Sequence, residues 1–281
     1  MFNREDALAS VLAMRHREAS DYKCGDYFHR SKGSSDGVDE ICRRLMADWC
    51  MKVVDRCSFA RDTASIAMSM LDRYLDTPQG SGALKNRNLF QLASMTCLYT
   101  AIKVHESEAL QPKTIVQLSR GMFTVKEIEE MELKVLFAIQ WRTSPPTAWT
   151  FVQHFVTAAA PQESDEHHQQ LLKLATLQTN LTLVDYSYVT KNASSIAYAA
   201  LANAVEIIGI ANPEFMEVLP IVLEMDREEV KHIQGDLRRQ IQQQHAAQVV
   251  VATKKLRQLE VSKTRASDGH ASPREICSIN Q

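Results

Sequence analysis

A single lysine stands inside an apolar run. In CLYTAIKVHES, residues 97–107, Leu98, Tyr99, Ala101, Ile102 and Val104 surround Lys103. A helix with this pattern has almost no polar face, so the ammonium either snorkels along apolar surface or reaches out to a partner. Carboxylates are plentiful downstream, where KEIEEMELK carries four glutamates, Glu129 among them. Other chemistries find little support. The six cysteines (24, 42, 50, 57, 97 and 277) show no CxxC spacing and are expected to be reduced thiols. Glu229 and His232 form the one Glu-x-x-His pair, whereas a di-iron bundle needs two. His167 and His168 are adjacent and would point about 100° apart on a helix. There is no glycine-rich phosphate loop and no nucleophile motif, so neither a metal nor another cofactor is expected, and the chain does not read as an enzyme.

The elements that must position Lys103 are helices. Only 9 glycines occur in 281 residues, strand-type alternation is absent, and apolar residues recur at helical spacing throughout. The fold class is all-α. After a polar lead-in over 1–38, with one helix expected in it, Ile41, Leu45, Trp49 and Val53 step by four. A second helix places Ala64, Ala67, Met68, Leu71 and Leu75 on one face and stops at Thr77-Pro78. Asn88 reads as the N-cap of a third helix running to about Glu106, apolar nearly all round and therefore central. A short helix over about 113–120 takes Gly121 as its C-cap, and Thr124 with Glu127 opens a fifth through a capping box. The second half repeats the plan, with helices over 147–157, to Leu183, from Asn192, around 213–223, and from Asp226 to about Gln244. Two tandem five-helix domains are expected, over 39–144 and 145–245. The tail 246–281 reads as weakly structured.

Net charge is −2, which argues against a protein that works by neutralising phosphates. The longest apolar stretch, AYAALANAVEIIGIA, is broken by Asn203 and Glu206 and falls short of the ~18 residues of a membrane span. MFNREDALAS puts charges where a secretion signal needs an apolar core, so an intracellular chain is expected.

At this level of organisation the residues resemble the cyclin family. RRLMADWCMKVV is similar to the first helix of a cyclin box, with Arg43, Asp48 and Trp49 in place. MLDRYL resembles the end of the second helix, and LFQLASMTCLYTAIKVHES the third, with its Ala-x-Lys near the end. EIEEMELKVLFAIQWRTSPPTAWTFV resembles the fifth helix and its exit. The likeness is strong over about 40–150; beyond that it extends only to the plan of a second cyclin fold.

The resemblance implies a regulatory subunit that binds and activates a cyclin-dependent protein kinase in cell-cycle control, in nucleus and cytoplasm. In the family, the lysine of Ala-x-Lys and a glutamate in a Met/Ile-Glu pair of the fifth helix reach the kinase beside its mobile small-lobe helix. That implies Lys103 and, in Ile128-Glu129, Glu129. A candidate groove for substrate or inhibitor peptides would be formed by Cys42, Arg43, Met46, Trp49 and Gln91. Arg43 has a second reading, a buried pair with Asp72. Cys42 stands where the family usually has methionine and Met46 where it has leucine, which weakens the groove. The alternatives are a cyclin-fold transcription-initiation factor, which should carry a basic stripe and often a zinc ribbon, and a transcriptional cyclin. Nucleic-acid and membrane partners are not expected.

Overall fold

The computed structural model describes residues 4–30, 37–108, 110–159, 165–209 and 214–243. Two expectations fall largely outside them: the Gly/Ser-rich part of the lead-in, at 31–36, and the tail from 246. Among the described residues there is no strand. The helices are α1 (Arg4–Ser20), α2 (Tyr27–Arg30), α3 (Glu40–Arg56), α4 (Arg61–Leu75), α5 (Arg87–His105), α6 (Pro112–Leu118) and α7 (Val125–Ala138). They are followed by α8 (Ala148–Ala159), α9 (Asp165–Val184), α10 (Ala193–Ile208), α11 (Glu214–Val222) and a helix α12 that begins at 227. Five helices, α3–α7, make the first unit, and α8–α12 make the second. Residues 1–237 form one body; of the remainder, 238–281, residues 238–243 are described and are helical.

Local signals set the boundaries. Asp39 caps α3, its carboxylate accepting from the Cys42 amide at 2.8 Å, and this hydrogen bond holds its pKa below the usual range. Asn86, two residues before the expected Asn88, caps α5 by accepting from the amides of Asn88 and Leu89. Thr124 and Glu127 form the capping box of α7. α11 carries an internal proline, Pro220, which leaves the Met216 carbonyl without its helical donor. The Tyr198 hydroxyl donates to that carbonyl at 2.7 Å.

Two helix starts are capped from a distance. Ala60 cannot cap α4, and Glu106 accepts from the Ala60 amide at 3.0 Å and from the Thr63 hydroxyl. Asn192 makes no side-chain cap on α10; Glu18 of α1 accepts from the Ser194 amide at 2.9 Å and its hydroxyl at 2.7 Å. Arg15 holds Glu18 at 2.9 Å and donates to the Leu223 carbonyl at the end of α11.

Two hydrophobic cores result. The first surrounds α5, in which Leu92 to Ile102 are all buried. The second surrounds α10 and includes Ala7, Val11 and Met14 of α1, which packs on α8. The N-terminal helix is therefore a structural member of the second unit, and Tyr27 belongs to the first core, so the lead-in has more work to do than its polar end suggests.

Candidate functional site

Because α5 is buried from Leu92 to Ile102, its last turn is the next place after its start where a charge can emerge, and a cation there suits the helix dipole. Lys103 emerges there. Its Nζ lies 2.8 and 2.9 Å from the two carboxylate oxygens of Glu132 on α7. Glu132 also accepts from the Thr100 hydroxyl one turn back on α5, at 3.0 Å. The lysine side chain is 44 % exposed and the glutamate 11 %. Burial disfavours the ammonium, but the hydrogen bond and charge of Glu132 outweigh it, and the Lys103 pKa is raised. The Tyr99 ring adds a cation–π contact at 5.4 Å.

Glu129, which the resemblance assigns to kinase binding together with Lys103, is exposed one turn earlier on α7, and the ion pair of Lys103 forms with Glu132. Helix geometry gives the reason. Ile128, Met131 and Val135 form the buried stripe of α7. At about 100° per residue, Glu132 sits about 40° from Ile128 and Glu129 about 100° away. Only Glu132 flanks the α5 contact.

Beside this pair the surface is apolar. Val104 is 48 % exposed, and Leu133, Phe137 and Trp141, spaced by four along α7 and its exit, are 51, 66 and 57 % exposed. The Phe137 and Trp141 rings meet edge to face at 5.8 Å. The exit is strained: Gln140 and Trp141 have φ of 55° and 59°. Their amides close the helix on the carbonyls of Phe137 and Leu136, at 3.1 and 2.8 Å, in the pattern that usually takes glycine at the left-handed position. Bulky residues held there cost about 1–3 kcal/mol each and cluster at functional sites. Here the strain turns an indole back beside Phe137 on the open face. The four-residue spacing carries this stripe in the sequence, but spacing alone does not tell an exposed stripe from a buried one.

The candidate groove divides. Cys42, Met46 and Trp49 are half-buried along α3, Gln91 is half-buried on α5, and Ile41 and Leu45 are exposed beside them. Gln91 Nε2 lies 4.0 Å from the Met95 sulfur. Arg43 does not belong to this surface, which corrects its assignment to the groove. Next in sequence to Cys42, it points about 100° away, into the protein. It is 3 % exposed and forks onto both Asp72 oxygens at 2.8 Å. Asp72 also accepts from the Tyr27 hydroxyl at 2.8 Å, and Arg43 donates to the Leu183 carbonyl at 3.0 Å. Burial works against the guanidinium's charge, but Asp72 outweighs it and raises the Arg43 pKa. The network ties α2, α3, α4 and the end of α9 together.

No three His, Cys, Asp or Glu side chains gather in a metal-binding arrangement among the described residues. His232 faces Asp236 at 3.0 Å, and Glu229 pairs with Lys191 at 3.1 Å. No helix among the described residues is long and apolar enough to cross a membrane.

Comparison with known proteins matches this architecture. A model of the cyclin N-terminal domain fits residues 10–144, and a model of the cyclin C-terminal domain fits 146–267. The chain is similar to Cyclin-A2-2 of Arabidopsis thaliana, 29 % identical over 58 % of this chain and 36 % of that one. It is also similar to Cyclin-A1-2 of Oryza sativa subsp. japonica, 29 % identical over 69 % of this chain and 39 % of that one. For G2/mitotic-specific cyclin-B2 of Rana japonica the identity is 27 %, over 62 % and 42 %. The chain thus spans less than half the length of each of these relatives. Among solved structures, a viral cyclin from herpesvirus saimiri shares the fold with a TM-score of 0.65 at 16 % identity, over 81 % of this chain and 96 % of that one. With both domain models matched in order across the two helical units, the chain belongs to the cyclin family.

Proposed function

We propose that this chain is a non-catalytic regulatory subunit that binds and activates a cyclin-dependent protein kinase in cell-cycle control. The observation that carries the reading is the juxtaposition of the Lys103–Glu132 pair with the exposed stripe of Val104, Leu133, Phe137 and Trp141. A partner helix would bury the stripe, while the ammonium and carboxylate, held on rigid helices, would meet its backbone polar groups and fix its register. The kinase's own ion pair and activation loop are then set in place by a rigid surface. The surface over Cys42, Met46, Trp49 and Gln91 would serve peptides of substrates or inhibitors, weakly because Cys42 leaves part of its floor empty. Nucleus and cytoplasm are the compartments this reading implies.

The test is activation of purified cyclin-dependent kinases by the purified chain, across a panel that samples the kinase family. At least one kinase should gain activity in proportion to the chain added, and Phe137→Ala should remove the gain while leaving the helical signal intact. Failure to bind or activate any of them would contradict the proposal.

A further inference from the structure

Tyr22 lies in the non-helical segment between α1 and α2, half-buried, with two guanidinium groups against its ring. Arg73 of α4 is 4.7 Å from the ring centroid and Arg17 of α1 is 5.2 Å from it. Arg17 Nη2 donates to the Tyr22 hydroxyl at 3.0 Å in an exposed hydrogen bond, and to the Ser144 carbonyl at 2.6 Å. The ring is thus lodged while its oxygen stays at the surface.

The charge around that oxygen is out of balance. Arg73 is buried, and its partners are neutral: the carbonyls of Arg142 at 2.7 Å and Ser69 at 3.3 Å, and the Tyr22 ring. No carboxylate among the described residues forms an ion pair with it. A buried guanidinium normally has one, because burying a charge without a countercharge is costly. Arg142 is held by Asp21 at 2.9 Å, and Lys23 is exposed on the other side of Tyr22 in sequence. Two guanidinium groups, Arg17 and Arg73, therefore meet the Tyr22 ring, and a third, Arg142, is paired with Asp21, next to Tyr22 in the chain. Such a cluster suits a dianion with three acceptor oxygens.

We propose that Tyr22 is a phosphorylation site whose product is clamped by this arginine cluster. An ATP-dependent tyrosine kinase would transfer the γ-phosphoryl group to the Tyr22 oxygen. The new P–O bond forms as the bond to the β-phosphate oxygen breaks; ADP leaves and the phenolic proton passes to the kinase's base. The phosphate takes the hydrogen bond of Arg17 and competes with Asp21 for Arg142. It thereby fastens α1 to α4 and to the segment 142–144 that leads from the first unit into the second. Asp21 supplies an acidic neighbour on the N-terminal side, and the segment 21–26 is non-helical.

The experiment uses the full chain in two forms. The native protein is incubated with ATP and an acidophilic tyrosine kinase, and the modified residue is located by mass spectrometry. A second preparation carries phosphotyrosine placed at position 22 during synthesis and is followed by phosphorus NMR and thermal melting. Tyr22 should be labelled in the folded chain, and Tyr22→Phe should lose that label without lowering the melting temperature. The second ionisation of the phosphate should fall from about 6 to below about 5, as expected beside fixed cations. The melting temperature should rise by about 2–4 °C, and Arg17→Ala should remove most of both effects. A folded chain that takes no phosphate on Tyr22 would overturn the proposal. So would a phosphate that titrates near 6 in a chain whose melting temperature is lowered.

Discussion

The two helical units follow one plan, but their central helices end differently. In the first, α5 delivers Lys103 to the surface, pairs it with Glu132, and borders an exposed apolar stripe. In the second, α10 is buried from Ser194 to Val205 apart from half-buried Tyr198 and Ala202, and ends in Gly209, a left-handed C-cap with φ of 76°. The internal polar glue differs as well. An ionic cluster, Arg43–Asp72–Tyr27, braces the first unit. Amides brace the second: Gln178 donates to the Ala200 carbonyl and accepts from Asn203, both at 2.9 Å. One architecture thus carries two kinds of internal polar bracing, ionic in the first unit and amide in the second.

The largest effect on stability should come from breaking the ionic cluster. Arg43→Ala leaves the Asp72 carboxylate buried beside the Tyr27 hydroxyl, and removing one partner of a buried pair costs about 3–5 kcal/mol. Urea unfolding should show that loss; a change under about 1 kcal/mol would mean the pair is not buried in solution.

Next comes the remote cap that joins α1 to the second unit. Glu18→Ala strands the Ser194 amide and should cost about 1–3 kcal/mol, the range for a buried donor left unsatisfied. A chain starting at residue 39 should melt well below the full one, since it also lacks Val11, Met14 and Tyr27. Equal melting temperatures would show that the packed residues of the lead-in contribute little to stability.

That segment marks the limit of what the sequence made legible. The five-helix plan was readable because α4, α5, α7 and α10 carry their own apolar periodicity and stop signals. Lys103 was readable because a lysine in an apolar run is an anomaly wherever it occurs. Its partner was not, because four glutamates within six residues differ only in their angle to the buried stripe, and the partner helix fixes that angle. Glu18 and Glu106 were hidden for a related reason: each caps a helix far away in sequence, so no local spacing announces it. Arg43 kept two readings until the side of α3 that meets α4 was known.

A smaller effect concerns the strained exit of α7. Gln140→Gly should stabilise the chain by about 1 kcal/mol, because glycine takes positive φ without a Cβ penalty. Unchanged or reduced stability would show that the turn is relaxed as it stands.

The smallest effect is the pH dependence of the Lys103 pair. A raised lysine pKa contributes stability that is complete below the ordinary value of about 10.4 and is lost as pH rises through the folded value. The contribution should be below about 1 kcal/mol, since the lysine is 44 % exposed. Between pH 6 and 9 the difference in urea midpoint between the native chain and Lys103→Met should stay flat, and it should shrink only above about pH 10.4. A difference that changed near neutrality would implicate another group.

The central claim is that the α5–α7 surface docks a protein kinase through Lys103 and Glu132. Equilibrium binding to a kinase that the chain activates tests it most directly, comparing the native chain with Glu132→Ala, Lys103→Ala and Glu129→Ala. Loss of a desolvated charge contact costs about 2–5 kcal/mol, so the first two variants should bind at least about 30-fold more weakly, and Glu129→Ala within a few-fold of native. Native affinity in folded Lys103→Ala and Glu132→Ala chains, or a greater loss in Glu129→Ala, would contradict it.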